Sequence, residues 1–228
     1  MVYFVPYSAN NVCVLDVSNA QPQFAKLTLD GQLQGPQKFS DGVHVNGRIY
    51  LVPFSSSHIC VLDIRSPEAI QDSPLVFENM PVSETKWSGS VLADNGKIYF
   101  APYSLTDVGI FDSSTLQFTI ALYGILFADR MNFGRGILGA NGKMYFPPYF
   151  ISEMHESDPS ENALSQMSSP QGNFFAMNAD FNSTISGTVL ARNGNIYCIP
   201  SFHMYMNSPA VPAICTPGTQ PTPTKALI

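Results

Sequence analysis

NGKIYFAPYS (Asn95–Ser104) decides how this chain is read, because close relatives of it recur along the sequence. They are NGRIYLVPFS from Asn46, NGKMYFPPYF from Asn141, NGNIYCIPSF from Asn193, and a version without its first residues, VYFVPYS, from Val2. The repeated tyrosines are Tyr3, Tyr50, Tyr99, Tyr145 and Tyr197, and each is followed three residues later by a proline, at Pro6, Pro53, Pro102, Pro148 and Pro200. Self-similarity at a period of about 48 residues marks an array of supersecondary units, each burying its faces against the next.

One repeat read in full gives four short strands: WSGSVLA (87 to 93), KIYFAPYS after Asn95-Gly96, DVGIFD (107 to 112) and LQFTIAL (116 to 122). Asn-Gly between two apolar runs signals a tight hairpin, since both residues tolerate the positive φ of a type I′ turn. The proline cannot donate to a ladder and therefore marks a strand end or a bulge. An aspartate stands ten residues after the proline in four repeats, at Asp16, Asp63, Asp112 and Asp158, with Ala210 in the last. Such an aspartate suits a turn into the fourth strand, where its carboxylate accepts backbone N–H groups. Four equivalent carboxylates in four repeats cannot serve one active site.

Four-stranded antiparallel units of this length, repeated about an axis, make a β-propeller. The pattern Lys86-Trp87, Gly89, Val91-Leu92, Asn95-Gly96-Lys97-Ile98-Tyr99, Pro102 and Asp112 resembles the repeats of β-propeller proteins, which include WD40-like and Kelch-like arrays. The fold expectation is an all-β propeller of five units with incomplete first and last repeats. The repeats run approximately 1–36, 37–84, 85–129, 130–181 and 182–203, followed by a Pro-rich tail over 204–228. The first repeat enters at its second strand. A five-unit ring then needs its missing inner strand covered, and AVPAICT (210 to 216) is the tail's candidate; in a four-unit ring TISGTVLA would complete the first repeat instead.

Composition narrows the function. Charged residues are 12% and the net charge is −6, which leaves no basic field to condense on a phosphate backbone and argues against nucleic acid. No apolar run approaches the roughly 18 residues that span a bilayer, so membrane insertion is not expected. Met1 leads straight into strand-like sequence without a charged and then apolar leader, giving the expectation of an intracellular, cytoplasmic protein. Cys13, Cys60, Cys198 and Cys215 form no close pair of the kind that binds zinc.

In a repeat protein, residues shared by every unit are explained by the scaffold, and function is sought where one unit departs. The strands expected to line the channel read FSDGVHV, WSGSVLA, FGRGILG and ISGTVLA, poor in metal ligands. Asp41, His44 and Arg135 are their departures, and Asp41 and His44, three apart, point to opposite faces of a strand. Lys86, with Lys38 at the equivalent position, suggests a rim attractive to an anion, while Trp87 reads first as packing between units and, as the alternative, as a candidate for stacking on a ligand. The segment 150 to 171 reads as a long polar loop replacing a third strand, and its Glu153, His155 and Glu156 join the candidate contact residues. No catalytic residue, metal site or cofactor is expected. The leading expectation is a non-enzymatic protein-interaction or structural scaffold, in a larger assembly or a homo-oligomer. A lectin-like or anion-binding propeller stands as the alternative, and a lactonase-like or glycosidase-like hydrolase comes last.

Overall fold

The computed structural model describes residues 1–28, 35–65, 71–77, 79–121, 132–149, 154–160, 163–166, 185–200 and 213–215. Among them every regular element is a strand, and the strands pair into antiparallel sheets in chain order. The first sheet is β1 (Val2–Phe4), β2 (Asn11–Asp16) and β3 (Gln23–Thr28). The second is β4 (Phe39–Val45), β5 (Arg48–Pro53), β6 (Ile59–Asp63) and β7 (Gln71–Leu75). The third is β8 (Trp87–Leu92), β9 (Lys97–Pro102), β10 (Val108–Asp112) and β11 (Gln117–Ala121). The fourth is β12 (Ile137–Leu138), β13 (Met144–Phe146), β14 (His155–Asp158) and β15 (Ala163–Gln166). The last is β16 (Ile185–Leu190), β17 (Ile196–Pro200) and β18 (Ala213–Cys215).

Side-chain direction follows the two-residue period of a strand, while burial of β5 and β9 is continuous, and this explains why the motif repeats. Tyr50 and Val52 face the following sheet, where they join Val43 and Val61 against Trp87, Ile98, Phe100 and Phe111. Ile49 and Leu51 face the preceding sheet and pack with Val12, Val14, Tyr3 and Val5. Each motif strand is therefore apolar on both faces, one for each neighbour. This double-sided burial accounts for the near-continuous apolar run Ile-Tyr-x-x-Pro.

The hairpins divide into two kinds. At Asn46-Gly47 both residues have positive φ, 49° and 76°, as a two-residue type I′ turn requires. The other three Asn-Gly pairs depart from this expectation. Only Gly96, Gly142 and Gly194 have positive φ, and each donates its N–H three residues back, to Ala93, Gly139 and Ala191, at 3.0 Å. These are three-residue connections, a type I turn closed by a left-handed glycine. Asn95 and Asn141 accept the N–H of Lys97 and Lys143, and each donates its side-chain N–H to Tyr99 or Tyr145 of its own motif. One extra residue before the asparagine, Asp94, Ala140 or Arg192, forces the change.

The recurrent aspartates form the expected turns. Asp16 accepts Ser18 N, Asp112 accepts Ser114 N and Thr115 N, and Asp158 accepts Ser160 N. Asp63 accepts Arg65 N and is ion-paired with Arg65 and Arg48.

The reading of 150 to 171 as a loop that replaces a strand is corrected in part. His155–Asp158 is the third strand of its sheet, with Met144 opposite Ser157 and Phe146 opposite His155. Backbone pairing to Met144–Phe146 and burial of Met154 hold this polar stretch in place. The tail strand also goes elsewhere than anticipated: Ala213–Cys215 pairs with β17 of the last sheet, and among the described strands β1 pairs with β2 alone.

Candidate functional site

The inner strands β4 and β8 pack side by side, and a β-bulge interrupts each near its start, between Phe39 and Asp41 and between Trp87 and Gly89. The bulged serines fasten the sheets together. Ser40 Oγ donates to Trp87 O and Ser88 Oγ donates to Phe133 O, both at 2.7 Å, each reaching the next sheet. In the second and third sheets the bulge thus re-aims one hydroxyl from the ladder to the neighbouring unit.

One step further along, Asp41 and Arg135, singled out as departures, meet. Asp41 Oδ2 accepts Ser90 N at 3.0 Å and Ser90 Oγ at 2.8 Å, and Arg135 Nε lies 3.2 Å from it. The carboxylate is buried, with 8% of its side chain exposed, whereas the Arg135 side chain is 61% exposed. This ion pair joins the second sheet to the segment entering the fourth and passes over Gly89 of the third. A Cβ on Gly89 would stand 2.8 Å from Arg135 Cγ and 2.9 Å from its Cα. The missing side chain is what lets the arginine cross.

The other candidates are distributed. His44 is exposed, accepts Gly47 N through Nε2 and lines a cavity of about 210 Å3 with Tyr3, Val5, Val12, Gly42 and Leu51 between the first two sheets. Trp87 is fully buried against Phe100 and Phe118, with Gly109 leaving room for its ring. Lys86 is 2% exposed, with its ammonium on Ser55 O and Ser83 O, and burial lowers its pKa. Lys38 is buried likewise, with its ammonium on Gly35 O. His155 meets Phe133 edge-on with ring centroids 5.1 Å apart, and Glu156 pairs with Lys143 at 2.8 Å. Glu153 lies outside the described residues.

Sequence reasoning missed the feature that lies at the start of these inner strands. A backbone relay runs from sheet to sheet: Lys38 N donates to Tyr7 O, Phe54 N to Lys38 O, Lys86 N to Phe54 O, Tyr103 N to Lys86 O, Asn132 N to Tyr103 O and Tyr149 N to Asn132 O. The residues that follow the motif prolines, Tyr7, Phe54, Tyr103 and Tyr149, thereby form an arc of touching rings. Successive centroids lie 5.6, 5.1 and 5.8 Å apart. Sheets packed face to face lie about 10 Å apart, so equivalent rings this close belong where the sheets converge, at the mouth of the channel. Burial, with the nearby Tyr149 and Tyr7 hydroxyls, pushes the Tyr103 pKa up to about 12. The signal was present as an aromatic residue after four of the five prolines.

Among the described residues no three His, Cys, Asp or Glu side chains gather where they could hold a metal ion.

Antiparallel sheets following one another in chain order, with inner strands side by side, define a β-propeller fold. No protein-family model matches the chain, and no curated protein matches it. Solved structures do. A virginiamycin B lyase from Staphylococcus aureus is similar with a TM-score of 0.62 at 12% identity, over 86% of this chain and 58% of the lyase. A streptogramin B lyase structure gives 0.62 at 14% identity, over 86% and 57%. A nidogen/laminin complex structure gives 0.57 at 11% identity, over 85% and 68%. The chain thus spans less than three fifths of the length of either lyase. At these identities the likeness shows the fold alone. It nevertheless corrects the expectation of a non-enzymatic protein, since this architecture carries a lyase in the solved structures that the chain resembles.

Proposed function

We propose that the protein is a protein-interaction propeller module whose end sheets dock the sheet faces of a partner polypeptide. The observation that carries this reading is a change of exposure at one register position. Phe100 and Phe146, each one residue after a motif tyrosine, are 0% exposed, whereas Phe4 at the same position of the first sheet is 46% exposed. Phe24 beside it is 70% exposed, and the two rings lie 6.5 Å apart. At the other end Ile199 is 50% exposed where its equivalents Val52 and Ala101 are fully buried. Burying such a side chain is worth about 1.5–3 kcal/mol, so these faces are built for cover.

The repeat indicates what covers them. Inside the array, the face bearing the residue after each tyrosine is covered by the tyrosine face of the preceding sheet. The last sheet presents just such a tyrosine face, with Val189, Tyr197 and Ile199. Each end therefore fits a sheet of the same repeat type, and the inner edge of β1, unpaired among the described strands, is open to a further strand. The 210 Å3 cavity lies on the side of β4 where an inner strand of the first sheet would pack.

Light scattering of the purified chain on a size-exclusion column tests this, alongside Phe24→Glu and Ile199→Glu variants. The wild-type chain is expected to exceed the monomer mass in a concentration-dependent way. Each variant should return towards monomer with an unchanged near-ultraviolet tryptophan band. A monomer at every concentration, with Phe4 and Phe24 resistant to solvent oxidation, would overturn the reading.

A further inference from the structure

In the arc Tyr7–Phe54–Tyr103–Tyr149 the Phe54 ring is buried, Tyr103 and Tyr149 are half-buried and Tyr7 is exposed, so its accessible side is made by the three tyrosines. The described sheets are held together by Tyr50, Val52, Ile49, Leu51 and their equivalents, by the serine staples and by the backbone relay. The relay uses only the main chain of the residues after the prolines and would work with any side chain there. Three of the four are tyrosines, and Tyr7 is 44% exposed.

The chemistry of the surroundings selects a ligand class. Aromatic rings side by side offer apolar faces to a flat apolar surface, and tyrosines add neutral hydroxyl donors at the edges of those faces. Tyr103 is in ring contact with Phe54 on one side and Tyr149 on the other, and Tyr7 with Phe54, so the arc is continuous across four sheets. The cations of the relay are turned away from the rings: the ammonium groups of Lys38 and Lys86, on residues that alternate with the rings, are buried and donate to backbone carbonyls. A surface with apolar faces, several neutral donors and no cation offered by the described relay residues suits an uncharged molecule with one apolar face and a hydroxyl-bearing edge.

We propose that the aromatic arc at the channel mouth is a binding site for a neutral carbohydrate. A pyranose ring has the required form, with axial C–H groups on one face and hydroxyls around its edge. The arc spans four sheets, which favours an oligosaccharide over a single sugar unit. An anionic glycan is disfavoured because it would have to shed its solvation with no relay cation to receive it.

An array of neutral and sulfated glycans, probed with the full-length chain, is the test. Retention on neutral glycans is expected, weakened about tenfold or more by Tyr103→Ala, as for a central aromatic anchor. Tyr103→Phe, which keeps the ring and removes the donor, should weaken binding by less. Should Tyr103→Ala perturb the fold, as read by the Trp87 near-ultraviolet signal, Tyr7→Ala at the more exposed end supplies the same comparison. No retention on any neutral glycan, retention on sulfated glycans alone, or binding indifferent to both alanine variants would overturn the site. None of these results bears on the sheet faces at Phe24 and Ile199, so this inference and the docking reading fail separately.

Discussion

Removing the Asp41 carboxylate should cost far more than removing its ionic partner. Asp41 receives three donors from two other units of the repeat, and its side chain is 8% exposed. Asp41→Ala leaves the buried Ser90 N–H and hydroxyl without their acceptor, at about 1–3 kcal/mol for an unsatisfied buried donor. The lost Arg135 contact adds little, about 0–1 kcal/mol, because the guanidinium is largely exposed and its interaction is screened. The sum is about 1–4 kcal/mol. Arg135→Ala removes only the screened contact, leaves Asp41 its two Ser90 donors and opens the carboxylate to water, so about 1 kcal/mol or less is expected. Urea unfolding followed by the fluorescence of Trp87, the single tryptophan, measures both, and the double variant completes a cycle whose coupling energy isolates the pair. Equal costs for the two single variants, or a cost below about 1 kcal/mol for Asp41→Ala, would refute the reasoning.

Gly89→Ala places a Cβ against Arg135 backbone and side chain and should destabilise by about 1–3 kcal/mol, with most of the cost persisting in an Arg135→Ala background because the clash with the main chain at position 135 remains. Gly109→Ala puts a methyl group 2.9 Å from Trp87 and 3.0 Å from Phe100 and Phe118; a shifted Trp87 emission with a loss of about 1–3 kcal/mol is expected. Acid stability follows from the turn aspartates, whose pKa values are lowered by side-chain hydrogen bonds first, from Ser18 to Asp16, Arg65 to Asp63, Ser114 to Asp112 and Ser160 to Asp158. Folded values below unfolded ones contribute stability that is present above the ordinary carboxylate pKa near 4 and is lost as pH falls through the folded values. Thermal melts should therefore show a falling midpoint below about pH 4, and a midpoint that rises on acidification from these groups would contradict the turn geometry. In alkaline spectrophotometric titration, one tyrosine, absent in Tyr103→Phe, should ionise only at about pH 12.

The scaffold was legible because its requirements are local and recur. Asn-Gly sets the hairpin, tyrosine and its neighbours serve two sheet interfaces at once, and aspartate closes the third turn. Hairpin length was less legible, since Asn46-Gly47 and Asn95-Gly96 look alike until the residue before the asparagine is counted into the turn. His155–Asp158 was missed as a strand because its polarity hides a pairing that the backbone makes; Asp158, in register with Asp63 and Asp112, was the available sign. The meeting of Asp41 with Arg135 depends on three sheets and a glycine between them, and no pattern within one repeat encodes it. Tyr7, Phe54, Tyr103 and Tyr149 were visible as aromatic residues, but their contact is a property of converging sheets. Lys86 shows the reverse error, where a charge assigned to a rim by its sequence position is buried on carbonyls.

Site-resolved amide hydrogen exchange tests most directly whether the repeats form sheets packed in chain order with uncovered ends. The account predicts slow exchange in β5, β9 and β10, each paired on both edges and buried on both faces, and fast exchange at the inner edge of β1 in monomeric protein. It also predicts protection of the Lys38, Lys86 and Asn132 amides, which donate across the relay. Rapid exchange at those three amides, or protection of Val2–Phe4 equal to that of Lys97–Pro102, would contradict the architecture.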